Sequence, residues 1–114
     1  MLNKQVKIYE SNILNFFEDY FSKKISNKII ICGNIPYNLS SYILSNLVKF
    51  QAFIPAAIFL LPKEITDILL FTPSKKIYKT ITSKYTVIPL LKIHNQAFFP
   101  KPKVTSILVK FISK

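Results

Sequence analysis

Short aliphatic runs alternate along this chain with segments whose apolar residues follow helical spacing. We predict strands at residues 6–10, 28–32, 56–61, 85–93 and 104–112. Helices are predicted between the first four of these strands, at residues 12–21, from residue 38 or 40, and at residues 62–71. Alternation of this kind favours a mostly parallel α/β sheet. The last two strands lack a helical crossover, so we predict that they form an antiparallel pair.

Local patterns refine this outline. The run at residues 28–32 contains three consecutive β-branched residues, Ile29 to Ile31, which predicts a strand buried on both faces, with Cys32 as a small apolar residue inside it. Asn38 or Ser40 is expected to cap the following helix, while Pro62 and Glu64 suit the first turn of the next one. The Lys-rich connection at residues 73–82 is left without an assigned structure.

The single glycine excludes several kinds of site. The chain has 114 residues, enough for one small domain, and Gly33 is its only Gly. A Gly-rich phosphate loop of the P-loop or dinucleotide type is therefore excluded. One Cys and one His cannot form a disulfide framework or a structural zinc site, and we expect no metal.

The charge is strongly one-sided. All 16 basic residues are Lys, five residues are acidic, and the formal net charge is +11. After Ile68 there is no acidic residue, yet nine Lys follow. Such a surface favours a polyanion, RNA first and an anionic membrane second, although compositional drift toward Lys is an alternative explanation. Pro36, with several Asn and Ser, interrupts the longest uncharged stretch, so we expect no membrane span, and without an apolar leader we expect a cytoplasmic protein.

The turn after the second predicted strand contains the candidate catalytic residues. Residues 33–37 read Gly-Asn-Ile-Pro-Tyr, at the strand end that faces the ligand crevice of an α/β sheet. An Asn side-chain oxygen, with a backbone carbonyl beside Pro36, can accept both hydrogens of an exocyclic amine. Tyr37 can stack on the base that bears this amine. An ordinary strand-to-helix turn is the alternative interpretation.

Two segments carry a family resemblance. Asn34-Ile35-Pro36-Tyr37 resembles the Asn-(Leu/Ile)-Pro-Tyr signature of adenine N6-methyltransferases that act on ribosomal RNA. Residues 98–106, Phe-Phe-Pro-Lys-Pro-Lys-Val-Thr-Ser, resemble the second signature of that family, Phe-x-Pro-x-Pro-Lys-Val-x-Ser. The chain is thus similar to the small-subunit ribosomal RNA adenine dimethyltransferases and, more distantly, to the erythromycin-resistance methylases.

The resemblance implies roles around the target base. Asn34, with the backbone at Ile35 and Pro36, would hold the adenine N6. Tyr37 would stack on one face of the flipped base, and Phe98 would close the other face. Core packing is the alternative for Phe98.

The resemblance also implies a cofactor and an RNA partner. The cofactor would be S-adenosylmethionine, near Asn34 and near Asn12, which stands where the family usually has an Asp. A plain helix cap is the alternative for Asn12. Lys101 and Lys103 would contact phosphates of small-subunit ribosomal RNA.

The family's sheet has the strand order 3-2-1-4-5-7-6, and this chain resembles it from the third strand onward. We therefore expect residues 1–114 to form a single, truncated catalytic domain, a partial Rossmann-like methyltransferase sheet without the first two strands, the cofactor-binding half and the C-terminal helical domain. Two functions stay open. One is S-adenosylmethionine-dependent methylation of adenine N6 in small-subunit ribosomal RNA. The other is a catalytically inactive RNA-binding remnant, or one half of a split enzyme completed by an upstream-encoded partner or a second copy.

Overall fold

The computed structural model describes Phe17, residues 28–93 and residues 105–114. Several predicted features lie outside these residues. They are the strand at 6–10, the helix at 12–21 (of which only Phe17 is described), and the candidate site residues Asn12, Phe98, Lys101 and Lys103. Phe17 is helical and buried, and its ring stacks on that of Phe50 at a centroid distance of 6.1 Å.

The described elements follow the predicted alternation. In chain order they are β1 (Ile30–Asn34), α1 (Tyr37–Lys49), a 3-10 turn (Gln51–Phe53), β2 (Ala56–Pro62), α2 (Lys63–Phe71), α3 (Lys76–Lys84), β3 (Tyr85–Ile93) and β4 (Ser106–Ser113). None of the helices within the described ranges is long and apolar enough to span a membrane.

The four strands form one sheet in the order β1-β2-β4-β3. β1 is parallel to β2, whereas β4 is antiparallel to both β2 and β3. Three strands therefore run in the same direction and β4 runs against them. This confirms the predicted α/β fold, mostly parallel with an antiparallel C-terminal pair, and the order corresponds to the 4-5-7-6 part of the family's sheet.

This topology gathers several strand ends at one edge of the sheet. Asn34 at the end of β1 pairs with Leu60, and Pro62 at the end of β2 pairs with Ser106. Ser106 also pairs with Ile93, the last residue of β3. The carboxyl ends of β1, β2 and β3 thus lie beside the amino end of β4. We call this side of the sheet the carboxyl edge.

The core lies on one face of the sheet. On β2 the buried side chains at Ala57, Phe59 and Leu61 alternate with half-buried ones, as the strand period requires. On β4 the buried residues are Val109 and Phe111, which pair with Phe59 and Ala57 in the register. The same face is therefore apolar across the two central strands, where α1 and α2 contact the sheet.

The prediction that residues 28–32 form a doubly buried strand is wrong. Ile30 is 64% exposed and Cys32 is also exposed. Among the described strands β1 lies at the edge of the sheet, so it has a neighbour on one side only. β-branched composition indicates an extended backbone, but burial depends on which strands and helices lie beside it.

The predicted cap of α1 is also wrong. The helix begins at Tyr37, its N-cap is Pro36, and no side chain caps it. Ser40 lies inside the first turn, where its hydroxyl donates to the Pro36 carbonyl at 3.0 Å. Similarly, Pro62 ends β2 and is the N-cap of α2 rather than a residue of its first turn.

The Lys-rich connection contains a helix, α3, which the sequence left unassigned. Ile81 is buried in the core, and Ile77, one helical turn away, is partly buried and packs against it. The lysines of this segment are exposed. Burial of this narrow apolar stripe stabilises a segment of otherwise polar composition.

Tyr85, the first residue of β3, is a buried tyrosine whose ionisation is linked to folding. It is 1% exposed, and its hydroxyl lies 2.8 Å from the Ile54 carbonyl oxygen and 3.2 Å from that of Leu47. Burial raises the pKa of Tyr85 to about 12 from 10.0. The unfolded chain thus loses this proton at lower pH than the folded one. The stabilisation is complete below pH 10 and is lost as the pH rises toward 12.

We expect Tyr85→Phe to lower the free energy of unfolding at pH 7 by about 1–2 kcal/mol, because buried carbonyls lose their donor. The variant should also lose less stability than the wild type between pH 10 and pH 12. Urea unfolding at both ends of this range measures the effect, with Tyr78→Phe on α3 as the half-buried control. If Tyr85→Phe lost as much unfolding free energy as the wild type between pH 10 and pH 12, the pH dependence could not be due to Tyr85.

Candidate functional site

The turn between β1 and α1 lies at the carboxyl edge and is held there by Ile35. The Ile35 side chain is buried, and its backbone N–H donates to the Leu60 carbonyl at 2.9 Å. Asn34, Pro36 and Tyr37 around it are exposed. The apolar member of the motif therefore anchors the turn to β2, and the polar and aromatic members face solvent.

The carbonyl of Pro36 belongs to the start of α1. It accepts the Ser40 hydroxyl at 3.0 Å and the Leu39 N–H at 3.1 Å. The sequence predicted a backbone acceptor beside Pro36 without fixing which one. Since the Pro36 oxygen is already bonded twice, the Ile35 carbonyl is the better candidate.

Tyr37 extends from the first position of α1 toward α2. Its side chain is 56% exposed, and its hydroxyl donates to Oε1 of Glu64 at 3.5 Å. Glu64 is the acidic residue in the first turn of α2. The aromatic member of the first signature is therefore tethered to the neighbouring helix while its ring stays accessible.

Thr105 and Ser106, the last two residues of the second signature, also lie at the carboxyl edge, next to the first turn of α2. The Thr105 carbonyl accepts the backbone N–H of Lys63 at 2.8 Å, and Ser106 pairs with Pro62. The structure thus brings Tyr37 of the first signature and Thr105 of the second to one open cleft, of about 580 Å³. The cleft is lined by Tyr37, Pro62, Lys63, Glu64, Asp67 and Thr105.

The charges around this cleft are few and partly paired. The Lys63 ammonium lies 2.6 Å from Oδ2 of Asp67, one turn along α2. Both groups are close to half exposed, so the pair contributes only about 0.5 kcal/mol. Within the described ranges, no group of three or more His, Cys, Asp or Glu side chains could hold a metal ion.

Sequence reasoning assigned Glu64 to the helix dipole and missed its contact with Tyr37. The available signal was its position: Glu64 follows the end of β2 by two residues, just as Tyr37 follows β1 by three. Residues directly after parallel strands meet at the carboxyl edge. Asn12, Phe98, Lys101 and Lys103 lie outside the described residues and stay predictions.

The whole sequence, residues 1–114, matches the family model described as ribosomal RNA adenine dimethylase. Ribosomal RNA small subunit methyltransferase A of Blochmanniella pennsylvanica (strain BPEN) is 34% identical over 118 residues, covering 98% of this chain and 43% of that protein. The protein of the same name from Haemophilus ducreyi (strain 35000HP / ATCC 700724) is 37% identical over 119 residues, covering 97% and 41%. The chain thus spans about two fifths of the length of these curated relatives.

Two solved structures are similar to the described fold. A dimethyladenosine transferase from Plasmodium falciparum has a TM-score of 0.67 and 26% identity, covering 79% of this chain and 35% of that one. The 23S rRNA methyltransferase ErmE has a TM-score of 0.65 and 19% identity, with coverages of 77% and 36%, and supports the fold alone. Because the family model matches from the first residue to the last, the chain belongs to the ribosomal RNA adenine dimethylase family.

Proposed function

We propose that this chain holds and orients the target adenine in the N6-methylation of small-subunit ribosomal RNA. The observation that supports this function is the convergence at the carboxyl edge. Asn34 is exposed at the end of β1, and Tyr37 lines a cleft with Thr105 of the second signature. A flipped base needs a polar edge contact and an aromatic face close together. Asn34 is proposed for the polar contact and Tyr37, three residues further along the same turn, for the aromatic face.

The polar contact acts on the exocyclic amine. The side-chain oxygen of Asn34 accepts one N6 hydrogen, and the Ile35 carbonyl accepts the other. Two acceptors in this arrangement orient the nitrogen lone pair away from the protein backbone, toward the incoming methyl group. The gain is one of orientation, since a fixed amine reacts far faster than a freely rotating one.

The aromatic contact acts on the face of the base. Tyr37 is more than half exposed, and only Pro36 separates it from Ile35 in the chain, so we place its ring beside the base that the Asn34–Ile35 turn would hold. Phe98 is proposed for the opposite face. Stacking of a base on an aromatic side chain contributes about 1–3 kcal/mol.

The methyl donor implied for this family is S-adenosylmethionine. Two residues are proposed to contact it: Asn34, which the structure describes, and Asn12, which lies outside the described residues. A Cβ added at Gly33 would lie 3.6 Å from Ile35 Cδ1 and 3.9 Å from Phe59 Cδ1, in ordinary contact, so packing within the protein does not require a glycine at this position. With only Asn34 among the described residues proposed for the donor, against Asn34, Ile35 and Tyr37 for the target base, the donor is the poorer fit.

Ribosomal RNA is the proposed partner, and the cytoplasm the proposed compartment. Ten lysines and two acidic residues fall within the described ranges. A surface with this excess of positive charge attracts a phosphate backbone through a salt-dependent interaction. Lys101 and Lys103 are proposed for phosphates beside the base.

The poor fit to the donor favours a second candidate function. The chain would then be an RNA-binding remnant, or one half of a split enzyme completed by another chain or a second copy. Calorimetric titration of S-adenosylmethionine into the folded protein separates the two. Micromolar binding supports methyl transfer by this chain itself, whereas no binding by the folded chain supports the second candidate.

We expect Tyr37→Ala to weaken binding of an oligoribonucleotide that carries 2-aminopurine at the target adenine by about tenfold, because one stacking face is lost. Quenching of the 2-aminopurine fluorescence on binding should decrease in parallel. Phe71→Ala is the matched control, since Phe71 is an aromatic residue, 72% exposed, at the far end of α2. Equal quenching by wild type and Tyr37→Ala would refute the stacking role.

A further inference from the structure

We propose that Glu64 is a positioning residue, which fixes the ring of Tyr37 in the orientation that receives the target base. The inference rests on the proposed function of Tyr37 and deepens it. Its proposed action on the base is indirect, through the hydrogen bond that its carboxylate accepts from the Tyr37 hydroxyl.

Tyr37 needs an external support. At 56% exposure its ring has little packing to restrict its two side-chain torsions. The Glu64 carboxylate lies 3.5 Å from the hydroxyl, 27 positions away in the sequence. This separation is longer than the roughly 2.7 Å of a strong O–H···O bond, so the contact has room to shorten when a stacked base excludes water.

The turn that carries Glu64 is itself firmly placed. Its neighbour Lys63 donates a backbone hydrogen bond to Thr105 at 2.8 Å, and Pro62 is paired to Ser106 in the sheet. The next residue, Ile65, is buried in the core. A group that orients a functional side chain is effective only when its own position is fixed, and this turn meets that condition.

The charged groups on the first turn of α2 are paired so that the Glu64 carboxylate can accept a hydrogen bond from the Tyr37 phenol. The ammonium of Lys63, the adjacent residue, lies 2.6 Å from Asp67. Asp67 therefore neutralises the cation beside Glu64, and the Glu64 carboxylate faces the Tyr37 hydroxyl. The first turn of α2 thus contacts both signatures, Tyr37 through the Glu64 side chain and Thr105 through the Lys63 backbone.

A double-mutant cycle tests the coupling in the complete 114-residue chain. We expect Glu64→Ala and Tyr37→Phe each to weaken binding of the same 2-aminopurine oligoribonucleotide by about two- to tenfold, and the double variant to be no weaker than either single one. Glu64→Gln keeps an acceptor for the phenol and should restore most of the affinity. Phe71→Ala, at the far end of the same helix and outside the cleft lining, is the matched control and should not couple to Tyr37→Phe. Additive losses for Glu64→Ala and Tyr37→Phe, or equal coupling for Phe71→Ala, would overturn the inference.

A measurement without RNA separates this inference from the proposed function. NMR side-chain couplings of Tyr37 should report one predominant rotamer in wild type and Glu64→Gln, and rotamer averaging in Glu64→Ala. Unchanged couplings in Glu64→Ala would refute positioning, whatever the RNA result. If the rotamer responds to Glu64 but Tyr37→Ala leaves fluorescence quenching unchanged, the proposed base-stacking function fails, and with it the positioning of a base.

Discussion

Asn34→Ala is expected to reduce methyl transfer to adenine by at least about a hundredfold while leaving RNA affinity nearly unchanged. The loss of one preorganised hydrogen-bonding group at a reacting centre typically costs this much in rate. Without the Asn34 oxygen, one N6 hydrogen has no acceptor and the amine is no longer held in one orientation. Because Asn34 is exposed, we expect the free energy of unfolding to change by less than about 0.5 kcal/mol.

Transfer of radiolabelled methyl groups from S-adenosylmethionine to small-subunit ribosomal RNA measures this effect. Asn38→Ala is the matched control, because Asn38 is also an exposed asparagine and is the second residue of α1. The control should keep wild-type transfer. Full transfer by Asn34→Ala would exclude its proposed role, and a wild-type chain that binds RNA without any transfer would support the second candidate function.

Phe111→Ala is expected to lower the free energy of unfolding by about 3–5 kcal/mol. Phe111 is completely buried on β4, and its ring lies 5.7 Å from that of Phe59 and 6.4 Å from that of Tyr85. These three rings join β2, β4 and β3 across the core face of the sheet. A loss of this size is a large part of the total stability of a small domain, so a substantial unfolded fraction is expected.

Urea unfolding followed by circular dichroism measures the loss. The control is Ile112→Ala, the next residue on the same strand, which is 37% exposed and points to the opposite face. Its cost should stay near 1 kcal/mol. Similar losses for Phe111→Ala and Ile112→Ala would show that the core does not lie on the face that carries Phe111.

Much of the fold was predictable from patterns that are local in the chain. The strand at Tyr85–Ile93 was predicted with its observed bounds, and α2 was predicted to end at Phe71, as it does. Both segments have strong periodicity and clear boundaries. The motif at residues 34–37 was recognisable for a similar reason: a turn between a strand and a helix is specified by its own residues.

The predictions that were wrong or missing concern features that depend on packing between distant parts of the chain. Cys32 was expected inside the protein and is exposed, because β1 lies at the edge of the described sheet. The helix α3 escaped prediction because its apolar stripe is narrow and its stability depends on packing against α1 and α2. Glu64 was assigned only to its own helix, although the contact that matters is made with a residue on another one.

Residue types and short spacings along the chain were enough to predict the α/β class, the antiparallel final pair and the family signature at Asn34 and Tyr37. Three features became known from the packed molecule alone: which described strand is at the edge, which carbonyl beside Pro36 is already bonded, and that the first turn of α2 contacts both signatures. These features join residues far apart in the chain, and such pairings are set by how the sheet and helices pack rather than by local sequence.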